Sequence, residues 1–120
     1  MITWRGGGSA ASRHAQPTSK VSTATAKELA AGVNLGNVTT GPIFEQSNKV
    51  LVAIDAKNRL VIDRFFNVVR FNVPNWVEDV APGVKAKELT KRMEKINAAQ
   101  AEIYKLATPK SHKFSVTAAK

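Results

Sequence analysis

The clearest pattern along the chain is a helical one between residues 41 and 71. Apolar residues recur there at alternating spacings of three and four, which places them on one side of a helix. Pro42 suits the first helical position, where its missing N–H is not needed, and Pro74 predicts that the helix ends no later than Val73. The series on this side consists of Phe44, Ser47, Leu51, Ile54, Asn58, Val61, Phe65 and Val68.

The apolar surface of this helix is wider than one neighbouring helix covers. Four further apolar residues extend it beyond a narrow coiled-coil seam: Val50, Ile62, Phe66 and Val69. Excess apolar width of this kind indicates a third packed element, an oligomer or another domain. We therefore expect a protein partner on the apolar face of the 41–71 helix.

A second long helix is predicted from Lys85 to Ala107, and Pro109 ends it. Its apolar stripe consists of Leu89, Met93, Ile96, Ala99, Ile103 and Leu106. About a dozen residues join the two long helices, so an antiparallel helical hairpin is expected. Trp76, in this connector, is expected to pack back on the first long helix.

Shorter elements flank the hairpin. A short helix is predicted between Thr23 and Leu35, with Thr23 or Thr25 as its N-cap and Gly32 at its end. Alternation of His112, Phe114 and Val116 indicates a short strand in the tail. The first twenty residues contain few large apolar groups and no acidic residue. Burial therefore cannot offset the conformational entropy lost on ordering them, and we expect this segment to be disordered.

These patterns predict a mainly α fold, a helical hairpin of two long helices with a short preceding helix and a disordered N-terminus. The predicted organisation is a disordered basic segment over 1–22, a helical region over 23–108 and a tail over 109–120.

The charge of the chain is strongly basic, with 18 Lys and Arg against 9 Asp and Glu and a net charge of +9. Such a balance favours nucleic acid, an anionic membrane or an acidic protein as partner. The basic residues are interspersed with acidic residues, however, and no run of five or more basic residues appears. Aromatic and basic residues alternate over residues 64–71, but the phenylalanines are expected to fill a core rather than stack on bases. A small basic helical adaptor or nucleic-acid-binding protein stays as the alternative reading.

Several classes of site and segment are excluded or unsupported by the sequence. The chain has no cysteine, which excludes disulfides, thiolate metal sites and cysteine nucleophiles. No apolar run reaches the roughly 18 residues of a membrane span, and no secretory signal is visible. The compartment is therefore left open.

Candidate chemistry is sparse. The Gly6-Gly7-Gly8-Ser9 tract lacks the Lys of a phosphate-binding loop and is expected to be a flexible linker. His14 and His112 have no carboxylates at metal-binding spacing, and His112 would be a base only if a nucleophile and an orienting acid lay near it in space. The helical carboxylates are expected to pair with bases at i,i+4, as in Glu45 with Lys49 and Asp55 with Arg59. We predict no catalytic, cofactor-binding or metal-binding residue, and no cofactor.

One resemblance to a known family can be traced along the chain. The segment Ala26-Lys27-Glu28-Leu29-Ala30-Ala31-Gly32-Val33-Asn34-Leu35 resembles an "ELA-GVNLA" segment near the end of many bacterial SGNH/GDSL-type hydrolases. The likeness continues through Gly41-Pro42-Ile43-Phe44-Glu45-Gln46 and Lys57-Asn58-Arg59-Leu60, and covers about Thr23 to Thr108.

The resemblance implies an α/β/α esterase fold, of which this chain would be a C-terminal appendage. That family uses a Gly-Asp-Ser nucleophile block and an Asp-x-x-His near the end of its core. Ser9 here follows Gly8 with no Asp between, and Pro109 and Ala11 stand three residues before His112 and His14. No catalytic residue of the family can therefore be carried over. The chain is expected to be an inactive helical fragment or appendage whose missing partner is the catalytic core.

Overall fold

A computed structural model describes residues 2–8 and 19–118. The strands are β1 (Ile2–Gly8), β2 (Ser19–Ala24) and β3 (His112–Ala118), and the α-helices are α1 (Ala26–Ala31), α2 (Pro42–Arg64) and α3 (Ala81–Ala107). A π-helical turn, Phe65–Val69, continues α2, and 3-10 turns lie at Leu35–Asn37 and Asn75–Val77. The chain divides into two compact units, Met1–Asn48 with Thr108–Lys120 and Lys49–Ala107. The mainly helical fold with two long helices agrees with the sequence prediction.

The first unit contains a three-stranded antiparallel sheet in the order β2-β1-β3. Ile2 lies opposite Ala24 on one side and Ala118 on the other, and a bulge lies between Trp4 and Arg5. The predicted tail strand is confirmed by β3. The structure also forms strands within the 1–22 segment, where we expected disorder, because β3 supplies hydrogen-bonding partners from more than a hundred residues away. Composition alone does not reveal such a distant partner.

Helix α1 begins and ends where the sequence predicts. The Glu28 N–H donates to the Thr25 hydroxyl oxygen at 3.2 Å, and the Thr25 N–H donates to the Glu28 carboxylate at 2.7 Å, which completes a capping box. These hydrogen bonds from the backbone and hydroxyl of Thr25 lower the pKa of Glu28. Gly32, with φ of 93°, ends the helix.

The start of α2 depends on a glycine. Gly41 is buried with φ of 91°, a conformation that L side chains rarely adopt, and its carbonyl accepts the first helical hydrogen bond from the Glu45 N–H. A Cβ at this position would lie 3.2 Å from the side chain of Val21. Pro42 is the first helical residue, as predicted. One turn on, the Gln46 side-chain amide donates to the Thr108 carbonyl at 2.9 Å, within the same unit.

The second unit is the predicted antiparallel hairpin. Lys57 of α2 donates to the Gln100 side chain of α3 at 3.0 Å, and Arg64 donates to the Leu89 carbonyl. At the closed end, Lys85 donates to the Val69 carbonyl at 3.1 Å. Along these three bonds the residue numbers rise on the side of the first helix and fall on the side of the second, as they do in two antiparallel helices. Helix α3 begins at Ala81, four residues before the predicted start, since a proline at the second helical position needs no N–H partner.

Candidate protein-docking surface

Helix α3 covers only one side of α2. Lys57, Asp63 and Arg64 reach α3 through hydrogen bonds, and Val68 continues the line of Lys57 and Arg64 into the closed end of the hairpin. Three half-buried residues share this side by helical spacing: Val50, Ala53 and Leu60. The long stems of Lys57 and Arg64 supply apolar contact while their polar ends bond at the edge of the interface.

An ion-pair network fixes the two helices near this closed end. The Arg92 guanidinium of α3 bonds to the Asp63 carboxylate of α2 and lies 3.4 Å from the Glu88 carboxylate. The Asn67 side-chain amide also donates to Asp63, at 2.6 Å. The hydrogen bond from Asn67, with the nearby Arg92 charge, lowers the pKa of Asp63 even though partial burial opposes the shift. Asp63 therefore stays ionised and holds Arg92 in place.

A second apolar surface of α2 is left uncovered within the described residues. We call it the outer stripe, and it consists of Leu51, Ile54, Val61, Ile62 and Phe65. Leu51 is 63% exposed and Phe65 is 45% exposed, although both belong to the strongest periodic series in the sequence. The sequence predicts that this helix has more apolar surface than one neighbouring helix covers, and these exposed side chains confirm it. Asn58 lies at the middle of the outer stripe and interrupts it.

The phenylalanines near the end of α2 were expected to fill a core, and the structure instead leaves them open. Phe66 and Phe71 are each more than half exposed. Phe65 and Phe66 make an edge-to-face pair at 5.3 Å, and the Arg70 guanidinium lies 5.8 Å from the Phe66 ring centroid. The rings contact one another and Arg70 because the hairpin offers no third layer to receive them.

Helix α3 follows its predicted stripe more closely. Ile103 is buried at 7% exposure, and Leu89, Ile96, Ala99 and Leu106 are half-buried. Met93 is the exception, since it lies on the exposed edge. Among residues 20–118 no large side chain is fully buried. The hairpin thus has a thin interface and no closed core.

The connector between the helices forms an apolar pocket of about 480 Å³. Valines dominate its walls, with Val68, Val73, Val77, Val80 and Val84 among them. The prediction that Trp76 packs on the first long helix is wrong, because the Asn75–Val77 turn directs Val77 into the pocket wall and leaves Trp76 85% exposed.

The structure describes some of the residues singled out for chemistry and not others. His112 opens β3 opposite Gly8, and its buried Nδ1 has no hydrogen-bond partner among the described residues, so no acid orients the ring through that atom. Gly6 to Gly8 belong to β1, so the expected linker is a strand there, while Ser9 and His14 lie outside the described residues. The Asp55–Arg59 pair forms as predicted, at 2.9 Å and exposed.

No cluster of three or more His, Asp or Glu side chains suited to a metal ion occurs in residues 2–8 and 19–118. Over the same residues, neither long helix has the apolar length that a membrane span requires. What the described geometry offers is apolar surface, available for contact with another protein.

Comparisons with known proteins add no relative. No protein family model, curated protein or solved structure matches this chain. The resemblance to SGNH/GDSL-type hydrolases therefore depends on the sequence segments alone.

Proposed function

We propose that this chain is a non-catalytic helical docking region, and that its partner is the catalytic core of an SGNH/GDSL-type hydrolase. The observation that carries the docking role is the outer stripe, a second row of apolar side chains at helical spacing that α3 does not cover. The choice of partner is supported by the "ELA-GVNLA"-like segment over residues 26–35. The parent activity would be ester hydrolysis, with every catalytic group supplied by the core.

The physical reason for docking is the free energy of the exposed apolar groups. Burial of a Leu, Ile or Phe side chain contributes about 1.5–3 kcal/mol relative to full exposure. The outer-stripe residues are each roughly one-third to two-thirds exposed. When a partner covers the stripe, each side chain therefore contributes a corresponding fraction of that burial free energy. The hairpin gains stability when a partner covers it, because any ligand that binds only the folded state stabilises that state.

The test is to mix the chain with an SGNH/GDSL-type core from which the matching C-terminal helices have been removed. Size-exclusion chromatography is expected to show a one-to-one complex. A Leu51→Ser, Phe65→Ser variant is expected to lose the complex, while an Ala98→Ser, Ala101→Ser variant, changed on exposed positions of α3, keeps it. Equal binding by both variants, or no complex at all, overturns the proposal.

A second measurement concerns catalysis. The chain alone is expected to leave a p-nitrophenyl ester unhydrolysed, because the proposed role assigns every catalytic group to the core and this sequence has no Gly-Asp-Ser block. Hydrolysis that depends on one Ser or His of this chain contradicts the non-catalytic assignment.

One observation favours a second candidate function. The exposed cluster of Phe65, Phe66, Arg70 and Phe71 combines aromatic faces with a base, as surfaces that bind single-stranded nucleic acid do. Binding of this kind would weaken steeply with salt, since phosphate contacts release counterions. Fluorescence anisotropy with a labelled single strand between about 50 and 200 mM salt distinguishes it. Salt-insensitive or absent binding removes this candidate.

A further inference from the structure

The pocket at the connector has an apolar lining that also contains three charged side chains. Its volume of about 480 Å³ falls within the roughly 300–1,000 Å³ range of pockets that hold ligands. Five valines, Phe71 and Ala81 form most of the lining, and the charged members are Lys85, Glu88 and Arg92. A ligand that fits this lining has an apolar body, and the balance of these charges decides which polar group it carries.

Two of the three charges are compensated by their neighbours. The Arg92 guanidinium bonds to the Asp63 carboxylate and lies 3.4 Å from the Glu88 carboxylate. Glu88 also lies 3.9 Å from the Lys91 ammonium. Arg92 and Lys91 thus face Asp63 and Glu88, and the net charge of this group is zero. It favours neither an anion nor a cation as ligand.

Lys85 is the charge in the lining that no carboxylate compensates. No Asp or Glu in the described part of the chain pairs with Lys85. Its ammonium donates to the Val69 carbonyl at 3.1 Å, which uses one of its three N–H donors. Lys85 is half-buried, so an anion that pairs with it is screened less by solvent and salt than an anion at an exposed lysine. The pocket therefore combines apolar walls with one uncompensated positive charge.

We propose that this pocket binds an apolar monocarboxylate, an organic acid with a hydrocarbon body and one ionised carboxylate. The body packs against the valines and covers Phe71, Val80 and Val84, each of which is more than half exposed. The carboxylate accepts a hydrogen bond from the Lys85 ammonium. A neutral ligand leaves that charge uncompensated, and a dianion brings a second charge that has no partner in the lining.

This site is separate from the surface proposed to meet the hydrolase core. No residue of the outer stripe lines the pocket. The inference therefore goes beyond the proposed function, and it is tested on the chain alone, so that failure of one does not imply failure of the other.

Isothermal titration calorimetry of the full chain with octanoate and octanol compares two ligands of equal chain length. Octanoate is expected to bind more tightly than octanol. Lys85→Met keeps an unbranched side chain without the charge, and is expected to weaken octanoate binding about tenfold or more while octanol binding stays the same. Lys87→Met, at an exposed lysine of α3 that does not line the pocket, is the matched control and changes neither ligand.

Three calorimetric results overturn the inference. Octanol may not bind as tightly as octanoate to the wild-type chain, and the two lysine substitutions may not have equal effects. Loss of octanol together with octanoate in Lys85→Met would show that the lysine supports the pocket wall rather than pairs with the ligand.

Nuclear magnetic resonance of the isotopically labelled wild-type chain locates the ligand without any substitution. Octanoate is expected to shift the backbone amide signals of Val77, Val80 and Val84 in the pocket lining. The signals of Leu51 and Ile54 on the outer stripe are expected to stay in place. Shifts confined to the outer stripe, or equal shifts at both surfaces, would show that octanoate binds exposed apolar surface in general, and would overturn the inference.

Discussion

At the scale of single residues, two kinds of position carry the structure. Some have a conformation that only one residue type adopts easily, and Gly41 is the clearest of these. Others hold elements together through charge, as Asp63 does for Arg92. The sequence identifies the first kind only in part, since the Gly41-Pro42 pair indicates a helix start but not a positive φ or the contact with Val21.

Gly41→Ala is expected to destabilise the chain by about 1–2 kcal/mol, because the backbone is left-handed there and Val21 lies against the added Cβ. Gly83→Ala is the matched control, since nothing lies within 4 Å of a Cβ added at that position in α3. Ala is the better helix former, so Gly83→Ala is expected to stabilise by up to about 1 kcal/mol. Urea unfolding followed by circular dichroism measures both. Equal effects of the two substitutions would show that Gly41 is not strained.

Asp63 makes the stability of the hairpin depend on pH. Its pKa is lowered in the folded chain, so its contribution is fully present above the ordinary Asp value of about 3.9 and is lost as the pH falls through the lower folded value. Asp63→Asn is expected to lower the Tm at pH 7 and to flatten the fall of Tm in acid. Asp55→Asn, which removes an exposed pair, is expected to change the Tm little. If the Tm of wild type and of Asp63→Asn fell in the same way as the pH is lowered, Asp63 would not be the source of the pH dependence.

At the scale of elements, the sequence predicts where helices lie better than which way they face. The bounds of α1, the end of α3 and the tail strand follow from caps, prolines and alternation, whereas α3 begins four residues before its predicted start. The orientation of α2 does not follow from them, because most large apolar members of its strongest periodic series lie on the exposed outer stripe, while the side facing α3 contains Lys57 and Arg64. Periodicity records apolar positions but not the partner that covers them.

The strand β1 shows the same limit. Its three glycines and its charge predict disorder, yet the strand pairs with both β2 and β3. A strand in this position depends on partners at both ends of the chain, and local composition contains no information on them.

Substitutions on the two helices are expected to differ in their effect on stability, depending on whether the side chain is buried between the helices or exposed on the outer stripe. Ile103→Ala is expected to cost about 2–5 kcal/mol, since the side chain is nearly buried. Leu51→Ser is expected to change stability much less, because that residue is 63% exposed. Urea unfolding of the isolated chain measures the difference. A large loss for Leu51→Ser would mean that the outer stripe is covered in the free chain.

At the scale of the whole molecule, apolar surface exceeds what the described residues cover. The sheet unit and the hairpin unit each contain exposed apolar groups, with Phe114 and Val116 in β3 and the outer stripe in α2. The proposed docking role accounts for this exposed apolar surface as the site of contact with another protein.

The proposed function depends on one contact, that of the outer stripe with the hydrolase core. Photo-crosslinking tests it directly, with a benzophenone amino acid replacing Val61 on the outer stripe or Ala98 on the exposed side of α3. In the presence of the truncated hydrolase core, a crosslink to the core is expected from position 61 and none from position 98. Crosslinking from position 98 alone, or equally from both, would contradict it.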